Sequence, residues 1–241
     1  MGDFRTDIIT CLKKEIIQFQ TFKSTVPDAG IRLGPVRNAF PHQTFPLGTM
    51  HEFLYAKSED AAATVGFITG LLSSLMDKGR AALWIGNSQT VFPPALQSFG
   101  IEPDKIIFIS LQKNKEILWA IEEALKCNGL AAVIGEVKDL SFTDSRRLQL
   151  AVEKSHVSGF IIRPQRQNIN ATTCAARWRI TPASSETIDN MPGVGFPRWN
   201  IELLKVKNGK PGTWLMEFCG NHFRNIPETG FITSLQKKKT G

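Results

Sequence analysis

Apolar and polar positions along the chain change period several times. Residues 7–23 place Ile8, Ile9, Leu12, Ile16 and Phe19 on one stripe at helical spacing. Residues 24–48 then carry Pro27, Pro35, Pro41 and Pro46 together with Gly30, Gly34 and Gly48, a density of breakers that predicts a linker. From Met50 the chain alternates. Short apolar runs at Met50–Tyr55, Ala81–Gly86, Lys105–Ser110, Leu130–Ile134 and Gly159–Arg163 predict strands. Between them, Asp60–Asp77, Pro93–Phe99, Lys115–Cys127 and Asp144–Ser155 predict helices. Ser58 is a candidate N-cap for the first of these, and Gly79 stands just past its end. Strands apolar on both faces, interleaved with helices, predict a parallel sheet covered on both sides.

After Arg163 the period becomes two. Cys174, Ala176, Trp178 and Ile180 alternate with Arg177 and Arg179 across Thr173–Thr181. Asn200–Lys207 and Thr213–Cys219 read as two further strands, and Asn208-Gly209 between them predicts a tight hairpin. The expected fold is therefore α/β, with a mostly parallel sheet, helices on both faces and antiparallel strands at its C-terminal end. The expected organisation is a helix over 1–25, a linker over 26–46, a core over 47–223 and a flexible basic tail over 224–241.

The 241 residues are 42% hydrophobic and 21% charged, which suits one sizeable core and excludes a disordered chain. Lys and Arg number 29 against 22 Asp and Glu, giving +7. The charge is unevenly placed: residues 41–142 hold eight basic and eleven acidic side chains, whereas 143–181 hold seven basic and two acidic. Such a balance permits nucleic acid or an acidic partner. Cys11, Cys127, Cys174 and Cys219 form no CxxC pair, and no leader or apolar run long enough to span a membrane is visible. Reduced thiols in a cytoplasmic protein are the expectation. The four histidines have no metal-ligand spacing, so no metal site is expected.

A strand–loop–helix at the head of an α/β core is where a phosphate-binding loop would sit. Such a loop needs GxxxxGK(S/T), so that backbone N–H groups wrap the phosphates, Lys neutralises them and a hydroxyl holds Mg²⁺. Here Tyr55 and Asp60 stand in the glycine positions, and Ala61 and Ala62 replace Lys and Ser/Thr. Glu59 and Asp60 add negative charge where an anion would bind. The strand Leu130–Ile134 ends in Gly135 and Glu136, not Asp, and Glu136 reads either as a displaced acid or as a boundary carboxylate. A weak ATPase using Lys57 and Glu136 is the remaining catalytic reading. No catalytic triad or nucleophilic cysteine motif is present, so neither catalysis nor a bound cofactor is expected.

Pro46–Phe53 resembles the lead-in to the first core strand of RecA recombinases, and Arg177–Ile180 with Glu202–Asn208 resembles their late antiparallel strands. More closely, Pro46–Phe53, Asp60–Leu72, Phe92–Ile109, Trp119–Ser155, Ala175–Pro182 and Met191–Val206 resemble the ImuA family, over most of residues 46–218. Gly159–Pro164 is also similar to the division inhibitor SulA. The resemblance implies a RecA-like core and a noncatalytic adaptor role in damage-induced, error-prone translesion DNA synthesis. The implied partners are an ImuB-like inactive Y-family polymerase and an error-prone replicative-type DNA polymerase, with RecA and single-stranded DNA as further candidates. The implied location is the bacterial cytoplasm, at the nucleoid when engaged. The alternative is a SulA-like cell-division inhibitor that binds the tubulin-like division protein.

Candidate contacts follow from the charge and apolar patterns. Arg147, Lys154, Arg163 and Arg166 are the candidate DNA-binding residues, from the basic 143–181 stretch. Phe196, Arg198 and Trp199 are candidate partner-binding residues, because prolines and glycines fix a turn that carries two aromatic anchors. Phe231, Leu235, Lys237, Lys238 and Lys239 are candidates in the tail, as a short linear docking peptide.

Overall fold

In a computed structural model the described residues are 31, 33–76, 79–87, 91–185 and 195–227. The elements are β1 (Met50–Tyr55), α1 (Ser58–Leu75), β2 (Ala82–Gly86), β3 (Ile106–Ser110), α2 (Asn114–Leu125), β4 (Ala132–Glu136), α3 (Phe142–Ser155), β5 (Ser158–Pro164), β6 (Ala176–Ala183), β7 (Arg198–Val206), β8 (Gly212–Cys219) and β9 (His222–Asn225). They form one nine-stranded sheet in the order β3-β2-β4-β5-β1-β6-β7-β8-β9. The strands from β3 to β6 are all parallel, and β7, β8 and β9 continue the sheet antiparallel. The parallel half and its antiparallel extension agree with the expected fold class.

Alternation along the strands divides the core between the two faces of the sheet. On one face Phe53, Phe160, Trp178 and Ile201 meet Phe67 and Leu71 of α1. On the other, Met50, Val133 and Ile161 meet Ile117 and Ile121 of α2 and Leu148 and Val152 of α3. Gly135 and Gly159 allow close approach on the second face. A Cβ on Gly135 would lie 2.2 Å from Ile121, and one on Gly159 would lie 2.3 Å from Met50.

His51 shows how tightly the first face is built. Its ring stacks on Phe45 at 4.5 Å and 4° and is fully buried. Nε2 lies 2.7 Å from the Pro46 carbonyl and donates to it, while Nδ1 accepts from Trp178 Nε1–H at 3.3 Å. The ring is thus neutral, and burial lowers its pKa from 6.5 to about 4 despite the opposing hydrogen bond to Pro46.

Three expectations about organisation change. Within the segment expected as a linker over 26–46, the described residues form two 3₁₀ turns, Gly34–Ala39 and Pro41–Gln43, and bury Leu33, Val36, Phe40 and Phe45 in the first core face. Its prolines open turns, and its apolar residues are close enough in sequence to cover the sheet. The hairpin expected at Asn208-Gly209 has five residues, 207–211, between β7 and β8. Asn208 takes φ +58°, and Lys210 N–H donates to the Ala39 carbonyl at 2.9 Å, which draws the turn onto the 3₁₀ segment. Finally, β9 runs to Asn225, two residues into the expected tail. It follows a two-residue turn, Gly220-Asn221, with φ +59° and +60°, the geometry that matches strand twist. The helix expected over 7–23, within the 1–25 unit, lies outside the described residues.

Candidate functional site

The crevice at the C-terminal ends of the parallel strands is where open α/β sheets take their ligands. Here it is small, about 180 Å³, and Tyr55, Ala61, Val65, Glu136, Ile162 and Pro164 are among its walls. Glu136 Oε1 accepts from Trp84 Nε1–H at 2.6 Å, and Gly86 leaves room for the Glu136 side chain, which a Cβ there would meet at 2.9 Å. Burial first, and then the charge of Glu136, raise the Tyr55 pKa.

The β1–α1 loop beside this crevice is closed by the chain itself. Asp60 is only 8% exposed, and its Oδ2 accepts from the backbone N–H groups of Ala56 (3.3 Å) and Lys57 (3.1 Å). These are donors of the type that wrap a phosphate at a helix N-terminus. The carboxylate satisfies them from the first turn of α1 and gains from the helix dipole. Glu59, fully exposed next to it, has its pKa lowered by the helix-start backbone N–H and by the Ser58 hydroxyl. Tyr55, Asp60, Ala61 and Ala62 thus lie together, with Asp60 as the internal anion.

The four candidate DNA-binding residues are not brought together. Arg147 on α3 pairs with Glu122 of α2 at 2.5 Å, and Lys154 is exposed in the last turn of α3. Arg166 lies beyond the end of β5, 3.5 Å from Asp139. Arg163 is the clear correction: it is 1% exposed and cannot reach a phosphate outside the fold. It points inward from β5, and its Nε donates to Glu52 Oε1 at 2.7 Å.

Glu52, absent from the sequence-based candidates, is the hub of this interior. Its other oxygen accepts from Arg177 Nε (2.5 Å) and Thr172 Oγ1 (3.0 Å), and Arg177 also donates to the Asn170 carbonyl at 2.7 Å. Among the described residues Arg163 Nη2 has no hydrogen-bond partner. The helix-free crossover 165–175 from β5 to β6 is pinned over β1 in this way. Cys174, at its end, is buried, and its thiol pKa is pushed up to about 12, chiefly by that burial. The one sequence signal for the hub is an acidic residue inside the apolar run Met50–Tyr55.

Among the candidate partner residues, Phe196 is half-buried and Arg198 pairs with Glu217 at 2.8 Å. Trp199 is corrected to a core residue. It is 4% exposed and packs on Phe67, Phe218 and Phe223, because it takes an inward position on β7. Phe231, Leu235, Lys237, Lys238 and Lys239 lie outside the described residues. Trp119, 61% exposed, is one of several exposed aromatics, with Phe92, Phe108 and Phe142, that composition did not single out. It lines a groove of about 410 Å³ between α2 and α3 with Lys115, Leu118, Asp144 and Arg147. Among the described residues no helix is long and apolar enough to cross a membrane, and no cluster of three or more His, Cys, Asp or Glu side chains could hold a metal.

No protein-family model matches the chain. Protein ImuA of Caulobacter vibrioides is 34% identical over 194 residues, which cover 76% of this chain and 80% of that protein. The chain belongs to the ImuA family. Cell division inhibitor SulA of Serratia proteamaculans is 31% identical over 119 residues, 49% of this chain and 70% of SulA. The crystal structure of the RadB recombinase aligns with TM-score 0.55 at 12% identity, over 83% of this chain and 99% of RadB. The last likeness gives the fold: this ImuA-family chain has a RecA-like core.

Proposed function

We propose that this ImuA-family protein is a noncatalytic, RecA-like adaptor in damage-induced, error-prone translesion DNA synthesis. The observation that carries the reading is the Asp60 carboxylate on the Ala56 and Lys57 N–H groups. A nucleotide triphosphate would have to displace a buried, hydrogen-bonded carboxylate and would find neither a lysine nor a hydroxyl for Mg²⁺ at Ala61 and Ala62. The core would then act through its surfaces. The family resemblance supplies the partners: an ImuB-like inactive Y-family polymerase and an error-prone replicative-type polymerase, with RecA as a further partner. Trp119, next to the Arg147–Glu122 pair, offers the aromatic-plus-arginine composition of interface hot spots.

The test is co-purification of the full chain with the ImuB-like and polymerase partners, with and without Mg·ATP. The adaptor reading expects a complex that forms equally in both conditions and weakens on Trp119→Ala. A complex that assembles only with Mg·ATP would overturn it. The identity to SulA supports a second reading, inhibition of cell division through the tubulin-like division protein. Binding to that protein, with none to the ImuB-like partner, would select it.

A further inference from the structure

β3 ends the parallel half of the sheet as an edge strand, paired with β2 alone. One bond fixes the direction of its peptide groups. Leu111 N–H donates to the Gly86 carbonyl of β2 at 2.9 Å, so Ile109 and Ile107, two and four residues back, also turn their N–H and C=O groups toward β2. Ile106, Phe108 and Ser110 turn theirs outward. Ile106 N–H is taken by the Pro103 carbonyl in the turn that precedes the strand. Among the described residues no hydrogen bond takes up the Phe108 and Ser110 backbone groups or the Ile106 carbonyl.

The strand also lacks the devices that usually guard an edge. Residues 106–110 carry no charge and no proline, and the ladder with β2 has no bulge. Ile107 and Phe108 are 49% and 37% exposed, and alternation puts them on opposite faces. The far edge of the sheet is managed differently. β9 has only four residues, and the first 3₁₀ turn lies against it, where a Cβ on Gly34 would sit 3.9 Å from Asn225.

The pattern of β3 is complementary to itself. Laid antiparallel about a two-fold axis through Phe108, the whole strand overlaps its own copy. Phe108 then meets Phe108 of the second copy as a hydrogen-bonded pair. Each Ser110 N–H meets the open Ile106 carbonyl of the other copy, and the Ile106 N–H keeps its bond to Pro103. On the opposite face Ile107 lies across from Ile109 of the second copy, apolar against apolar. Charge selects the same direction. Glu102 and Asp104 precede the strand and Lys113 follows it. Antiparallel pairing sets the acidic end of one copy near the basic end of the other, whereas parallel pairing would set acid on acid. Asp104 and Lys113 face Lys105 at 3.9 Å and Glu116 at 3.1 Å, exposed pairs that hold them weakly. We propose that β3 pairs edge to edge with β3 of a second copy of this chain and joins two nine-stranded sheets across a two-fold axis. None of residues 102–113 lines the Trp119 groove, and the proposal does not rest on the adaptor reading.

The experiment is sedimentation velocity of the full chain over a concentration series. Five residues of strand make an interface below standard size, so the wild type should populate a dimer at about 100 μM and be monomeric at about 1 μM. Ser110→Pro removes an outward N–H and leaves the ladder with β2 whole, so the monomer should keep its thermal midpoint. It should weaken the dimer at least about tenfold, because symmetry removes the same hydrogen bond twice. Ile107→Lys should leave only monomer at about 100 μM, by placing an ammonium beside each copy's Ile109. Should that variant not fold, Ser110→Pro still decides. A wild-type chain that stays monomeric at about 100 μM would overturn the proposal. So would a dimer that neither variant weakens, since the copies would then meet elsewhere. A monomeric chain whose co-purification with the polymerase-like partner is weakened by Ser110→Pro would give the edge to a strand of that partner instead. Wild-type co-purification by a Ser110→Pro monomer would separate this site from the adaptor reading and support the self-pairing.

Discussion

Acid should destabilise this protein through His51 as the pH falls below about 6.5. The ring is neutral and buried between Phe45, Phe160 and Trp178, with a folded pKa of about 4 against 6.5 when unfolded. Between those values the unfolded chain binds a proton that the folded chain does not, so stability is full above about pH 6.5 and declines toward pH 4. At roughly 1.4 kcal/mol per pH unit, the loss is about 2 kcal/mol at pH 5 and about 3 kcal/mol at pH 4. The perturbation that isolates it is His51→Gln, which keeps a donor for the Pro46 carbonyl and cannot titrate. This variant gives up the ring stack and the acceptor for Trp178, a cost that does not vary with pH. Urea unfolding of both proteins at pH 7.5, 6.0 and 5.0 measures the difference, in which the carboxylates they share cancel. The wild type should lose about 2 kcal/mol more than the variant between pH 7.5 and pH 5. Parallel losses in the two proteins would refute the argument.

Glu52→Ala should destabilise by about 3–5 kcal/mol, because it leaves Arg163 and Arg177 charged and uncompensated in the interior. Urea unfolding measures this, and faster maleimide labelling of Cys174 should report the released crossover. Gly209→Ala would place a Cβ 2.1 Å from the Ala39 carbonyl, backbone that cannot turn aside. A loss of about 1–3 kcal/mol is expected, seen as a lower thermal midpoint. Asp60→Ala should cost about 0.5–2 kcal/mol through the lost cap. In the wild-type chain Mg·ATP should leave the thermal midpoint where it is, and an upward shift would contradict the occupied loop.

The alternation of strands and helices was legible because each element carries its own period: two residues in β6, 3.6 in α2, unbroken apolar runs in β2 and β4. What escaped was structure that depends on partners distant in sequence. Arg163 looks like surface charge until Glu52, 111 residues away, is placed under it. Trp199 has the composition of an interface anchor, and only its inward register on β7 makes it core. The absent phosphate motif could be read directly from Tyr55 to Ala62, but not that Asp60 folds back onto the loop, since one short hydrogen-bonded turn has no periodic signature. The missed strand β9 is four residues long, too short for a pattern, although Gly220-Asn221 carried a turn signal. The segment over 26–46 misled for the opposite reason. Its breakers are real, yet proline and glycine mark changes of direction and say nothing about burial.

The carboxylate that closes the β1–α1 loop travels with the chain. A diffusible ligand fills its site in proportion to its concentration, and a protein that binds it in the folded state is stabilised to match. Asp60 is tethered three residues from the N–H group it meets, so its local concentration does not vary with metabolism. The loop is therefore held in one shape whether the cell is rich or starved in triphosphate. On the adaptor reading proposed above, a RecA-like scaffold built this way would take its shape from its own chain and not from cellular energy.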